Sequence, residues 1–334
     1  MTEHLNIEQM AQKLASADHY LIVCHKNPDG DTIGCAGALY HALTALGKTA
    51  AVICADPIPA RYAYTGIKLY DGSYQPETVV SVDIASLQLF GERNDVPQLT
   101  RHVDLCIDHH AGNGGFADFT LLDASAAAAA EVMTDLIEAL GVQLTPQMAD
   151  CLYTGLSTDT GCFKFPSTTA RTHAVAARLI EAGADVQRLN KLLFETRSPQ
   201  RMEIERMALN SLEYHFDGRC AVICLDRDQI ADSGVEPADL EDLTGLPLTI
   251  AGVQVGLTLR QQPGGSCRIS VRTVAGMDAC AIARRLGGGG HNRAAGCELE
   301  GNLDNAKAAI LAEVEAELTA MDEAAAAAAE QEEA

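Results

Sequence analysis

The chain has 334 residues and a formal net charge of −22 at pH 7, from 24 Lys plus Arg against 46 Asp plus Glu. Its length predicts two domains, and 47% hydrophobic residues exclude a disordered chain. The acidic total argues against a long nucleic-acid track, and no stretch approaches the roughly 20 uninterrupted apolar residues of a membrane span. The first residues show no basic region followed by an apolar core, so a cytoplasmic protein is expected, with no membrane partner. Eleven Cys are scattered singly, without a CxxC, and mostly sit inside apolar runs. They read as small, reduced core residues.

In chain order, residues 19–25 (HYLIVCH), 49–54 (TAAVIC), 78–84 (TVVSVDI) and 102–110 (HVDLCIDHH) read as buried strands, rich in Val and Ile and too short for helices. Residues 31–46 carry Ile33, Leu39, Leu43 and Leu46 on one helical face and stop at Gly47; residues 125–140 likewise stop at Gly141. Thr145 and Pro146 supply a cap and a first-turn proline for the next helix. This alternation predicts an α/β fold, a mostly parallel sheet with helices on both faces. A helical connector is expected next. Residues 220–225, 249–260 and 267–273 then read as strands, with a helix over 278–286, giving a smaller α/β domain. The expected division is a catalytic domain over 1–186, a connector over 187–205, a substrate-binding domain over 206–322 and an acidic, Ala-rich tail over 323–334.

Ligands in a parallel sheet bind at the carboxyl ends of the strands. There the chain places His25, Asp29 and Asp31 after the first strand, Asp83 after the third, and Asp108, His109 and His110 after the fourth; Asp159 sits where a helical segment meets a turn. Each has a bland alternative: Asp29 and Asp31 as turn and cap residues, Asp83 as a strand end, the histidines as core residues, Asp159 as a cap. The coincidence of three strand ends delivering carboxylate or imidazole to one edge decides for a bound cation, because uncompensated carboxylates would repel one another. Mixed imidazole and carboxylate donors without thiolate suit Mn²⁺, Mg²⁺, Fe²⁺ or Co²⁺ better than structural zinc. The supply exceeds one ion's needs, and two ions about 3.5 to 4 Å apart are the usual apparatus for displacement at phosphorus. Hydrolysis of a phosphate ester is the expected reaction.

Net charge conceals a basic stretch. Residues 260–293 carry Arg260, Arg268, Arg272, Arg284, Arg285 and Arg293 against Asp278 alone. Within it, Gly287 to Gly290 precede His291, Asn292 and Arg293. A run of glycines can be a flexible turn between helix and strand, but it also allows backbone N–H groups to converge on an anion, and the adjoining Arg272 and local positive charge tilt the segment toward a phosphate site. It is neither a P-loop nor a dinucleotide fingerprint.

Taken together, HKNPDGDTIGCAGAL, VDIAS, CIDHH and STDTGCF resemble the four motifs of the DHH phosphoesterases, and GGGGHNRAAG resembles the signature of their associated C-terminal domain. The resemblance spans residues 5–320 and is greatest to the bacterial oligoribonuclease and phosphoadenosine-phosphate phosphatase group. It implies two divalent cations, Mn²⁺ ahead of Mg²⁺ or Co²⁺. His25 and Asp29 would hold one, Asp31, His109 and Asp159 the other, with Asp83 bridging. His110 would face the substrate phosphate as donor or general acid, and Asp108 would orient a histidine. Arg272, His291 and Arg293, with Gly288, Gly289 and Gly290, would hold a phosphate of the substrate. Cys35 departs from the Ser common after Gly34, and Asn292-Arg293 varies in the family. The implied activity is release of 5′-mononucleotides from short oligoribonucleotides, with dephosphorylation of adenosine 3′,5′-bisphosphate to AMP. Rival readings are a cyclic-dinucleotide or linear-dinucleotide phosphodiesterase and a non-catalytic nucleotide sensor, which would have lost a ligand. A homodimer is compatible with the sequence.

Overall fold

A computed structural model describes residues 2–235, 240 and 243–332, with side chains as far as residue 324. Two compact units, Met1–Thr196 and Arg197–Ala334, divide the chain. None of the described helices is long and apolar enough to cross a membrane.

The first unit runs β1 (Glu3–His4), α1 (Ile7–Ser16), β2 (Tyr20–Val23), α2 (Gly30–Ala45), β3 (Ala50–Ile53), β4 (Thr78–Val82), α3 (Val96–Leu99), β5 (Leu105–Asp108), β6 (Phe119–Leu122), α4 (Ala129–Ala139), α5 (Pro146–Asp159), α6 (Ala170–Glu181) and α7 (Val186–Asn190). Its six strands pair in the order β1-β6-β5-β4-β2-β3, every pair parallel. Every residue of β2, β3, β4 and β5 is buried, which is why these strands read as continuous apolar runs. One face packs on α1, α2, α4 and α5 through Met10, Leu39, Leu43, Met133 and Leu152; α3 and a 3₁₀ turn over Leu87–Leu89 cover the other, around Leu21, Val79, Phe90 and Val96.

Glycine sets the closest helix contact. A Cβ on Gly34 would lie 2.3 Å from the Cys151 carbonyl oxygen, and one on Gly30 would overlap the Thr158 side chain. The helices α2 and α5 are therefore antiparallel at near-backbone distance, which brings the end of α5, at Asp159, to the start of α2. The cap of α2 is Asp29, whose side chain accepts from the amides of Asp31 and Thr32. Thr145 caps α5 by accepting from Met148, with Pro146 in its first turn.

After α7 a π-turn over Lys191–Glu195 leads out of the first unit. The second runs α8 (Pro199–Asn210), β7 (Glu213–His215), β8 (Cys220–Leu225), α9 (Arg227–Ser233), β9 (Val255–Gln261), β10 (Ser266–Thr273), α10 (Ala279–Arg285), β11 (Gly289–His291), β12 (Ala294–Glu300) and α11 (Leu303–Glu332). Its sheet order is β11-β12-β10-β9-β8-β7, antiparallel except for β8 with β9. Ile282 of α10 and Ile310 and Val314 of α11 pack on the sheet face carrying Leu257, Ile269 and Val271. Two expectations change. The strand expected from residue 249 begins at Val255, because Leu243–Thr249 is a 3₁₀ helix containing Pro247. The glycine run supplies an edge strand as well as a turn. The expected tail is helical to Glu332; Glu333 and Ala334 lie outside the described residues.

Candidate metal centre

Strands β2, β4 and β5 share one register, with Val23 opposite Ser81 and Ser81 opposite Cys106. Residues two positions further on, His25, Asp83 and Asp108, therefore leave the sheet level with one another. Asp83 turns sharply, with φ of 59° and its amide donating to the Ile107 carbonyl at 2.9 Å. That left-handed conformation is uncommon for a residue with a side chain. Its carboxylate stays 3% exposed between two imidazoles.

Both imidazoles are oriented from behind. His25 donates through Nδ1 to the Lys26 carbonyl at 2.8 Å, leaving Nε2 3.4 Å from Asp29 Oδ1 and 3.8 Å from Asp83 Oδ2. His109 donates through Nδ1 to the Ala126 carbonyl at 3.2 Å, leaving Nε2 3.4 Å from Asp83 Oδ1 and 3.3 Å from Asp159 Oδ2. A carbonyl only accepts, so each Nδ1 carries hydrogen and each Nε2 is the ring atom that could hold a cation. Three groups result, with ligand atoms within 4.8 Å of one another: His25, Asp29 and Asp83; Asp31, His109 and Asp159; Asp83, His109 and His110. Asp83 and His109 each belong to two of them.

Asp31 is fully buried and tied to a different helix. Its Oδ2 accepts from the Ala129 amide at 2.6 Å and its Oδ1 from Ala130 at 3.0 Å, the first two amides of α4. A helix N-terminus favours negative charge, so this fixes the carboxylate while leaving lone pairs for a cation. Cys35, the departure from the family's Ser, donates its thiol to the same Oδ1 at 3.5 Å. Asp108 is also fully buried. Its Oδ1 accepts from the His109 amide at 2.8 Å, the His110 amide at 3.2 Å and His110 Nδ1 at 2.8 Å, and its Oδ2 from Asn113 at 2.6 Å.

The electrostatics describe a cluster short of positive charge. Burial drives the Asp31 carboxyl well up, reinforced by Asp83 and Asp159, and pushes Asp83 to about 6. Burial opposes the charged form of His25, but the Asp29 carboxylate outweighs it and holds the imidazole at about 9. His109 behaves likewise, held at about 11 by Asp159 and Asp83 against burial. The hydrogen bond to Asp108 raises His110. Burial raises Asp108, and its bonds from His110 and Asn113 more than reverse this. Protons on imidazole thus stand in for cations. Asp83 Oδ1 and His109 Nε2 are buried without a hydrogen-bond partner, although only 3.4 Å apart. A divalent cation would satisfy both atoms, and the imidazole and carboxylate donors suit one.

In the second unit, β10 points Arg268, Ser270 and Arg272 to the sheet face away from α10 and α11, opposite Glu298, Gly296 and Ala294 of β12. With Gly289 and Gly290 they line a depression of about 440 Å³. Arg272 is anchored by bonds to the Val271 carbonyl at 3.1 Å and Thr244 Oγ1 at 3.1 Å. His291 and Arg293 are exposed at the end of β11 and the turn that follows. Gly288 and Gly290 have packing reasons: a Cβ would lie 2.2 Å from the Gly296 oxygen and 2.6 Å from the Ala294 oxygen respectively, whereas at Gly289 it would meet nothing. The basic stretch does not act as one field. Arg285 pairs with Glu313 at 2.8 Å and Glu317 at 2.6 Å of α11, and Arg260 is 4% exposed.

The profile of the DHH family, N-terminal domain, matches residues 19–156, and that of the DHHA1 domain matches 218–320. The bifunctional oligoribonuclease and PAP phosphatase NrnA of Thermus thermophilus is 34% identical over 313 residues, 89% of this chain and 90% of its own. The chain belongs to the DHH family. Another DHH relative, the bifunctional oligoribonuclease and PAP phosphatase NrnA of Mycoplasma genitalium, is 26% identical over 87% of this chain and 92% of its own. The crystal structure of an exopolyphosphatase-related protein from Bacteroides fragilis superposes with a TM-score of 0.82 at 25% identity, covering 95% of this chain and 97% of its own. As a DHH protein this chain is a phosphoesterase that works with divalent metal ions.

Sequence reasoning missed Asn113 and the amides of Ala129 and Ala130. Asn113 sits in a glycine-rich turn that reads only as a loop, and backbone donors leave no mark in a sequence.

Proposed function

We propose that this DHH phosphoesterase releases 5′-mononucleotides from short oligoribonucleotides and removes the 3′-phosphate of adenosine 3′,5′-bisphosphate. The observation that carries the reading is Asp83, a buried carboxylate shared between two adjacent ligand groups. In this reading His25, Asp29 and Asp83 hold one divalent cation and Asp31, Asp83, His109 and Asp159 a second, with Mn²⁺ the first choice for this donor set. When bound, the cations supply Lewis-acid stabilisation of phosphoryl oxygens and acidify water. The remaining tasks fall to protein groups. Asp108 holds His110 Nδ1, so proton exchange with the leaving oxygen is assigned to His110 Nε2, on a side chain 43% exposed. Asn113 steadies Asp108 in turn. Arg272, His291 and Arg293 hold a substrate phosphate beside Gly288, Gly289 and Gly290. Eleven free cysteines support placement in the reducing cytoplasm.

The test is a Mn²⁺-supplemented assay of labelled di- to pentanucleotides, adenosine 3′,5′-bisphosphate, cyclic di-AMP and pyrophosphate. Short RNA and the bisphosphate should be hydrolysed. Asp83→Ala should lower the rate by about 10³-fold or more, since several kcal/mol of transition-state stabilisation leave with the cations. Turnover of cyclic di-AMP or pyrophosphate alone, or activity that survives chelation, overturns the reading.

A further inference from the structure

The segment after Asp159 is held in a costly shape. Gly161, Cys162 and Phe163 are consecutively left-handed, with φ of 56°, 58° and 63°. Two residues with side chains in that region store strain, which persists only where surrounding bonds impose it. Here they do: the Cys162 amide donates to the Ser157 carbonyl at 2.7 Å, the Phe163 amide to Thr160 Oγ1 at 3.1 Å, and the amides of Lys164 and Phe165 both to the Thr160 carbonyl at 2.9 Å. The Phe163 ring stacks on His173 at 5.2 Å and 20°. The product of this rigid turn is Phe165. Its ring lies over Gly161, where a Cβ would come within 2.5 Å of it, yet it is 53% exposed, the only phenylalanine among the exposed large hydrophobics of the described residues. Beside it Lys164 is exposed and makes no ion pair among the described residues.

We propose that Phe165 is a stacking surface for a nucleobase of the substrate, with Lys164 toward the adjoining phosphate. A flat ring held over Gly161, two residues after Asp159, matches the apolar π-face of a nucleobase, and base–aromatic stacking tolerates any base. The inference rests on the nucleotide reading above.

The chain contains no tryptophan, so Phe165→Trp installs a single fluorescent reporter. AMP should quench its emission saturably and ribose 5-phosphate should not. Phe165→Ala should raise KM for a dinucleotide about tenfold, with Phe165→Tyr restoring it; Mn²⁺ loading by calorimetry checks that each variant is folded. Equal response to AMP and ribose 5-phosphate, or none, in a variant that still hydrolyses dinucleotides overturns the stacking role and leaves the activity standing. Selective quenching by AMP in a protein that hydrolyses no nucleotide keeps the stacking surface and removes the activity.

Discussion

Each imidazole in the metal centre must lose a proton before it can ligate. With His25 held at about 9 and His109 at about 11, both carry that proton at neutral pH in the metal-free protein. Loading then expels protons, so apparent Mn²⁺ affinity should rise with pH by up to about tenfold per unit for each proton displaced. Calorimetry in buffers of different ionisation enthalpy counts them; an affinity flat between about pH 6 and 8 would sink the assignment of these Nε2 atoms as ligands. The ligand candidates were legible because they are chemically distinctive side chains placed directly after apolar runs. What orients them was not. Asp31 rests on the amides of two alanines and Asp108 on an asparagine in a turn, and neither arrangement has a recognisable spacing.

Among the elements, buried strands announced themselves and marginal ones did not. β2 to β5 are buried throughout and dominated by apolar residues, but β1 is a two-residue pairing and β11 consists of Gly289, Gly290 and His291, residues with little strand propensity. β11 exists because its neighbours allow two backbones to approach without side chains between them. Gly288→Ala should therefore cost about 1–3 kcal/mol by forcing the strand away from Gly296. Gly289→Ala, with open space at its Cβ, should change stability by less than about 0.5 kcal/mol. Denaturant unfolding of the two variants decides it, and equal losses would mean that packing is not what the glycines provide. The basic stretch shows the converse error: Arg285 looked like part of an anion site but serves α11, because composition cannot tell a charge aimed at a ligand from one spent on a neighbouring helix.

For the whole molecule, a net charge of −22 sets the scale of substrate it can hold. A protein with a long basic track gains affinity with every phosphate it neutralises, and loses it steeply with salt. This chain confines its phosphate-binding candidates to half-buried Arg272 and exposed His291 and Arg293, so lengthening an RNA from about five to about twenty nucleotides should give no further gain in affinity. Competition assays at fixed salt measure this, and a steady rise with length would contradict it. The closing pair of the parallel sheet carries a different consequence. Glu3–His4 adds to the edge only by pairing with Phe119 and Thr120, and Thr2 reaches Asp118, 116 residues later in the chain. On the ribosome, at about 5–20 residues per second, that partner strand is not synthesised until about 6–24 s after the first residues. The nascent chain must carry Glu3–His4 unpaired through that interval, and the sheet bearing the candidate metal centre closes only when its last strand has been made.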